Sequence, residues 1–201
     1  MLRVGLTGGY GTGKTFVGEC LASLGCHLIR ADELGHQALA PGGDAYAPVV
    51  EEFGPLILQP DGAIDRRRLA AIVFRDPERL ERLNRLVHPT VLRRIEELSH
   101  RFESTDPSGI LVVEAAILIE SGACQRFERI ILAVCNPEQQ IERAMARDGL
   151  SRREVLARLQ QQMPLEEKRK YAHYVIDTSG SKEETVRQVR ETYAALRSIG
   201  A

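Results

Sequence analysis

Apolar residues along the chain gather into five short, nearly continuous runs. Strands that are buried on both faces of a parallel sheet have this pattern, because neither face alternates with polar side chains. The runs are rich in Val, Ile and Leu and end at polar or glycine-containing segments, as strands do. They predict strands at residues 2–7, 27–31, 110–114, 129–135 and 174–177.

Segments with the apolar periodicity of helices lie between these runs. Behind the first run, Val17, Cys20, Leu21 and Leu24 have the i, i+3, i+4, i+7 spacing of one helix face. An alternation of strands and helices is typical of α/β domains, in which helices cover a parallel sheet. The pattern therefore predicts an α/β fold with a five-stranded parallel sheet.

The stretch between the second and third runs, residues 33–108, is long and contains several helical patterns. One covers residues 66–74. Another begins at Pro77 and is predicted to break or kink at the His-Pro pair 88–89, since proline lacks the amide hydrogen of a helix interior. Apolar residues recur at helical spacing again in residues 91–102. We expect this stretch to form a helical subdomain inserted into the sheet domain.

Local capping patterns delimit three helices after the fourth run. Asn136 precedes a helix that is predicted to end at Gly149. Ser and Glu stand three positions apart at 151–154 and at 181–184, which predicts a capping box at the start of two further helices.

Composition and charge exclude several classes of function. Hydrophobic residues make up 43% of the 201-residue chain and charged residues 27%, which is typical of a globular domain with a real core. The net charge of −1 argues against a bulk nucleic-acid or membrane partner. The four cysteines form no C-x-x-C pair and are expected to be reduced and buried. With no leader and no run of membrane length, the expected location is the cytoplasm.

Residues 8–15, Gly-Gly-Tyr-Gly-Thr-Gly-Lys-Thr, match the phosphate-binding P-loop. The motif lies between a predicted strand and a predicted helix, where amide groups and the helix dipole favour an anion. Lys14 supplies a positive charge for the β- and γ-phosphates of ATP, and the Thr15 hydroxyl can bind Mg²⁺. Four glycines permit positive φ and a close approach of the backbone to a ligand: Gly8, Gly9, Gly11 and Gly13.

Two acidic residues stand at predicted strand ends. Asp32 follows the second strand and Glu114 ends the third. The carboxyl ends of parallel strands face the ligand crevice, so Asp32 can orient a hydroxyl or hold a Mg²⁺-bound water, and Glu114 can contact the metal through water. The alternatives are a helix N-cap for Asp32 and a structural role for Glu114.

Arginines are frequent in the helical segment after the fourth run. Arg143 and Arg147 are four residues apart on one helix face, and Arg158 follows in the next predicted helix. A helical hairpin with arginines above a P-loop can close as a lid and bind the transferring phosphoryl group. The alternative is a solvated pair of charged helices. His88, taken alone, fits a core or helix-end histidine.

These motifs together resemble the dephospho-coenzyme A kinases over about residues 3–180. The resemblance depends on the motifs at 5–15, 31–32, 62–69, 88–89, 114–120, 147–149, 158–168 and 172–180. The chain departs from the family pattern at a few positions. Arg30 stands where the family usually has Asp, 114–120 lacks the usual Pro-Leu-Leu, and His173 and Thr178 replace the usual Asp and Asn.

The resemblance implies that ATP phosphorylates the ribose 3′-hydroxyl of dephospho-coenzyme A, the last step of coenzyme A synthesis. It also implies a P-loop kinase fold with a helical substrate-binding insertion and a helical lid. The predicted core comprises residues 1–32, 109–136 and 170–201, the acceptor-binding insertion 33–108 and the lid 137–169. A monomer or small homo-oligomer is expected.

The resemblance also implies a set of site residues. Catalysis is assigned to Asp32, Lys14 and Arg147, and Mg²⁺ to Thr15. The residues expected to bind ATP are Gly9, Gly11, Thr12, Gly13, Lys14, Thr15 and Phe16. The residues expected to bind the acceptor are Asp32, Arg66, His88, Arg143 and Arg158.

Three other functions are compatible with a P-loop. The first is a kinase for another small molecule, although residues 62–89 match the substrate region of one family. The second is a GTP-dependent switch: residues 32–35 fit D-x-x-G, but they follow Lys14 closely and no N-K-x-D motif is present. The third, a catalytically silent nucleotide-binding module, is disfavoured by the retained Lys14, Thr15, Asp32 and Arg147.

Overall fold

Five strands form one parallel sheet in the order β2-β3-β1-β4-β5. The strands are β1 (Leu2–Gly8), β2 (His27–Arg30), β3 (Ile110–Glu114), β4 (Arg129–Val134) and β5 (Tyr174–Asp177). Every predicted strand is present within one residue of its predicted ends, so the α/β fold with a five-stranded parallel sheet is confirmed. The central strands β1, β3 and β4 are almost entirely buried, as their apolar runs predict, whereas the edge strands β2 and β5 are partly exposed.

The protein is described here by a computed structural model that covers residues 1–73 and 75–199. Parts of the predictions that concern Phe74, Gly200 and Ala201 lie outside the described residues.

Short 3₁₀ turns occur at Pro55–Ile57 and Ala123–Arg126. Within the described part of the chain, every helix is too short or too polar to cross a bilayer. The helices are α1 (Lys14–Ser23), α2 (Ala31–Ala38), α3 (Tyr46–Phe53), α4 (Arg66–Val73), α5 (Pro77–Thr105), α6 (Pro137–Asp148), α7 (Arg152–Gln160), α8 (Leu165–Arg169) and α9 (Lys182–Arg197).

The chain divides into two compact units. The sheet unit comprises Met1–Arg30 and Ser99–Ala201, and the helical unit comprises Ala31–Leu98. The predicted division into a core, an insertion at 33–108 and a separate lid at 137–169 stays a prediction.

Each unit has its own apolar core. In the sheet unit, Leu6 of β1 and Ile131 of β4 are fully buried with Leu21 of α1 and Leu196 of α9. In the helical unit the buried cluster consists of Val49, Phe53, Ile57, Ile64, Leu69 and Val73. Burial of such side chains stabilises each by about 1.5–3 kcal/mol relative to exposure.

The four cysteines are free thiols, as predicted. Cys26 and Cys135 are buried, whereas Cys20 and Cys124 are only half-buried. Burial raises the pKa of the Cys26 thiol to about 12, so this thiol is inert at neutral pH.

The capping predictions are confirmed. The side chain of Asn136 accepts a hydrogen bond from the Glu138 amide at the start of α6, and Gly149 ends α6 at φ 64°. Complete capping boxes open α7 and α9. These interactions are local, so the sequence is sufficient to predict them.

The predicted break at Pro89 is wrong, and the alternative of a kink there stays a prediction. Helix α5 runs without interruption from Pro77 to Thr105, with Pro89 in its interior. Proline in a helix costs about 3 kcal/mol. Half-buried Leu80, Leu83 and Leu86 pack against the helical core before the proline, and this packing offsets the cost. The short helices α2, α3 and α8 were not predicted.

An ion pair is buried beside the sheet. The Lys168 side chain is fully buried at the end of α8, and its Nζ lies 2.9 Å from Glu120 Oε1. The same ammonium donates to the Ala116 carbonyl at 2.9 Å. Glu120 also accepts from the Met163 amide at 3.1 Å, so this cluster fastens the segment before α8 to the loop after β3.

Replacing Lys168 by Met should lower the free energy of unfolding by about 3 kcal/mol, because the Glu120 carboxylate loses its buried partner. Urea unfolding followed by circular dichroism measures this loss. The matched control is Lys170→Met, since the Lys170 side chain is 66% exposed in its pair with Glu167. That pair should contribute less than about 1 kcal/mol. Equal losses in the two variants would contradict a stabilising role for the buried pair.

Candidate active site

The P-loop connects β1 to α1. Two of its four glycines have the positive φ that was predicted for them, and two do not. Gly11 and Gly13 have φ of 86° and 78°, in the left-handed region. Gly8 and Gly9 do not have positive φ, and close contacts explain these two glycines instead. A Cβ at Gly8 would lie 2.7 Å from the Ala133 carbonyl oxygen, and one at Gly9 would lie 2.5 Å from Gln140 Nε2.

The loop is fixed from the carboxyl end of β5. Buried Thr12 donates its hydroxyl to the Gly9 carbonyl at 2.8 Å, and its own carbonyl accepts from Thr178 Oγ1 at 2.8 Å. Arg143 of α6 donates to Thr178 Oγ1 at 3.0 Å and to the Thr178 carbonyl at 2.9 Å. Arg143 therefore holds the segment that supports the P-loop, while its predicted role in acceptor binding stays a prediction.

Lys14 and Thr15 both contact the carboxylate at the end of β3. Lys14 Nζ lies 2.8 Å from Glu114 Oε1, and Thr15 Oγ1 donates to the same oxygen at 3.0 Å. The Glu114 side chain is only 4% exposed, and Arg30 Nε lies 3.5 Å from its other oxygen. A buried carboxylate needs such cationic partners, because its desolvation is costly. Lys14 is therefore held by Glu114 in this structure.

The pair of Thr15 and Glu114 fits a Mg²⁺ site. Mg²⁺ is usually held by one or two carboxylates together with substrate phosphates and water. Here a hydroxyl and a carboxylate oxygen are 3.0 Å apart at the N-terminus of α1. The other oxygen of this carboxylate, Glu114 Oε2, is buried beside Arg30 Nε and accepts no hydrogen bond from the described residues, so only Oε1, the oxygen that Thr15 contacts, fits a metal ligand here.

Tyr10 joins the loop to the predicted lid arginines. The guanidinium groups of Arg147 and Arg158 lie 4.9 and 5.4 Å from the centre of its ring. Its hydroxyl contacts Asp148 and accepts from Arg158 Nη1 at 3.1 Å. The hydrogen bonds from Arg147 hold the pKa of Asp148 down, at about 2. Tyr10 occupies a variable position of the P-loop pattern, so the sequence did not single it out.

A cavity of about 560 Å³ lies beside Gly9 in the sheet unit. It is lined by residues after β4 and β5, including Asn136 and Ser179, and by Met163 and Leu165 near α8. Ligands of α/β sheets bind at the carboxyl ends of the strands, so this cavity is in the position expected for part of a ligand. Phe16, predicted to bind ATP, lies in α1 with the Lys182 ammonium 5.8 Å from its ring centre.

The remaining predicted residues belong to the helical unit. Asp32 lies in the first turn of α2 and is not an N-cap, and Arg66 begins α4. Both residues affect the pKa of His36. Partial burial is the main cause that lowers this pKa, the positive charge of Arg66 lowers it further, and the negative charge of Asp32 raises it. Asp32 and Arg66 are therefore near one histidine that the sequence did not single out, although it is four positions after Asp32. His88 is half-buried in α5, and burial lowers its pKa.

Comparison with known proteins agrees with this geometry. The family model described as dephospho-CoA kinase matches residues 2–184. A dephospho-CoA kinase of Aquifex aeolicus is 39% identical over 196 residues, which cover 98% of both chains.

Solved structures of similar proteins have the same fold. The crystal structure of TT1252 from Thermus thermophilus superposes with a TM-score of 0.84 at 36% identity and covers 96% of both chains. Dephospho-CoA kinase from Campylobacter jejuni gives a TM-score of 0.71 at 26% identity, covering 99% of this chain and 98% of that protein. With a P-loop, a parallel sheet and a family match over nearly its whole length, this chain belongs to the dephospho-CoA kinase family.

Proposed function

We propose that this chain transfers the γ-phosphoryl group of ATP to the ribose 3′-hydroxyl of dephospho-coenzyme A, giving coenzyme A and ADP. The main support is the P-loop, whose Lys14 and Thr15 meet at Glu114 in a chain that belongs to this family. The proposal includes a cytoplasmic reaction by a monomer or small homo-oligomer.

The P-loop binds the phosphates of ATP in this proposal. Its amide groups and the N-terminus of α1 attract the anion, and Lys14 moves from Glu114 to the β- and γ-phosphates. Thr15 and Glu114 would hold Mg²⁺, which neutralises phosphate charge when it is bound. Glu114 then keeps Arg30 as a cationic neighbour.

Residues 137–169 act as the lid in this proposal. Arg147 and Arg158 face the loop residue Tyr10, so a short movement brings their charges to a phosphoryl group in the loop. Positive charge at that place stabilises the oxygens of the transferring group. Arg143 also supports the P-loop through its two hydrogen bonds to Thr178, and its assignment to the acceptor is kept in this proposal.

Asp32 is the group we assign to the acceptor hydroxyl. It stands two positions after the end of β2, and carboxyl ends of parallel strands face the ligand. It either takes the proton of the 3′-hydroxyl or orients that hydroxyl, because the proton leaves late in a loose transition state. Arg66 and His88 belong to the same helical unit and are assigned to the acceptor's phosphates and adenosine.

The proposed reaction predicts ADP release that depends on dephospho-coenzyme A. A coupled assay with and without the acceptor measures it, and ³¹P NMR of the product identifies the 3′-phosphate. Lys14→Ala should still fold, because Arg30 remains beside Glu114, and should lose about 10²–10³-fold in turnover, since it removes one preorganised contact to the transition state. The matched control is Lys170→Ala at an exposed site. Turnover without acceptor, or a fully active Lys14→Ala, would contradict the proposal.

Asp32→Asn retains size and one acceptor oxygen but removes charge and basicity. We expect kcat to fall by about 10²-fold or more, with a much smaller change in the KM of the acceptor. Glu33→Gln, the neighbouring residue of the same helix turn, is the control and should have little effect. If kcat is intact while ATP or Mg²⁺ affinity collapses, Asp32 serves the metal and not the hydroxyl.

Arg66→Ala should weaken acceptor binding far more than ATP binding, because arginine binds phosphate groups in a bidentate manner. Calorimetric titration with each ligand measures both affinities. Arg67→Ala changes the adjacent exposed arginine of α4 and serves as the control. An equal loss for both ligands, or a loss for ATP alone, would move Arg66 out of the acceptor site.

A further inference from the structure

The backbone of Tyr10 is held from two directions. Its amide donates to Gln162 Oε1 at 2.8 Å, and its carbonyl accepts from Gln140 Nε2 at 2.9 Å. Gln140 belongs to α6, and Gln162 follows α7. The backbone of Tyr10 is therefore attached to α6, which contains Arg147, and to the segment that directly follows α7, which contains Arg158.

The side chain of Tyr10 is the common partner of two cations. Both Arg147 and Arg158 lie over its ring, within the range of cation–π attraction. Asp148 contacts the tyrosine hydroxyl and accepts two hydrogen bonds of 3.0 Å from Arg147. The two guanidinium groups repel each other, and the ring and the Asp148 carboxylate offset that repulsion.

We propose that Tyr10 is a positioning residue that holds Arg147 and Arg158 at the P-loop, ready for the phosphates of the nucleotide. Arginine has a long side chain that loses much rotamer freedom when it is fixed. A tyrosine ring has two side-chain torsions and is a rigid platform for such a group. Because Tyr10 is itself part of the loop, the loop that binds the phosphates also orders the arginines. This inference rests on the proposed function only in assigning the two arginines to phosphate binding.

A purely structural role predicts a different result. If Tyr10 only fastened the helices to the loop, its replacement would lower stability and leave the arginines equally effective in the folded protein. If it positions the arginines, its replacement lowers ATP affinity and kcat in the folded protein, and the loss disappears when the arginines are absent. Non-additivity of this kind is expected only for residues that act together.

Tyr10→Leu removes the ring, and Tyr10→Phe keeps the ring while removing the hydroxyl. Each cation–π contact at a partly exposed site is worth a factor of about two to five. We therefore expect Tyr10→Leu to lower kcat at saturating substrates about tenfold, and Tyr10→Phe to lower it about two- to threefold. Tyr171→Leu is the matched control, since Tyr171 is 48% exposed and has no role in the site; its kcat should be unchanged.

The decisive measurement is a mutant cycle with Arg147→Ala/Arg158→Ala. The cycle is measured in kcat and in ATP binding by calorimetry without acceptor. In the variant that lacks Arg147 and Arg158, the further change Tyr10→Leu should lower kcat and ATP affinity by less than about twofold. A full tenfold loss in that background, or parent-like values for Tyr10→Leu itself, would overturn the proposal.

If Tyr10→Leu does not fold, as judged by circular dichroism, the same cycle is run with Tyr10→Phe and Arg158→Ala, and additive losses there overturn the proposal. If the parent protein does not phosphorylate dephospho-coenzyme A, the proposed function fails. The mutant cycle measured by ATP affinity still decides the role of Tyr10, because calorimetry with ATP needs no acceptor.

Discussion

A buried carboxylate at the end of β3 organises the phosphate-binding end of the sheet. Parallel pairing places Glu114 beside Arg30 of β2 and Leu6 of β1. A nearly unexposed carboxylate is tolerated there only with positive partners, and Lys14 and Arg30 supply them. An aspartate at position 30 would place a second negative charge beside Glu114, so the arginine found there has a direct electrostatic explanation in this chain.

The P-loop is held by side chains from distant parts of the sheet unit. Thr178 after β5 supports Thr12, while Gln140 and Gln162 bind the backbone of Tyr10. Such contacts reduce the freedom of a glycine-rich segment whose flexibility would otherwise oppose binding. The arginines of α6 and α7 attach to the same loop, so the phosphate-binding segment and its cations form one connected polar network.

The structure departs from the sequence-based predictions for different physical reasons. Pro89 lowers local helix propensity, yet packing of α5 on the helical core keeps the helix continuous. Helices α2 and α3 have eight residues each, too few for a clear period in the sequence. Lys168 belongs to a motif of the sequence, but only the fold gives it Glu120 as a buried partner.

The sequence by itself determined the five strands, the P-loop and the helix caps, because each depends on residues a few positions apart. It also determined the family, since several motifs occur together over most of the chain. Only the tertiary structure decided that Lys14 meets Glu114, 100 positions away, and that Arg158 meets Tyr10, 148 positions away. Contacts at such separations depend on strand order and helix packing, which no local pattern of side chains specifies.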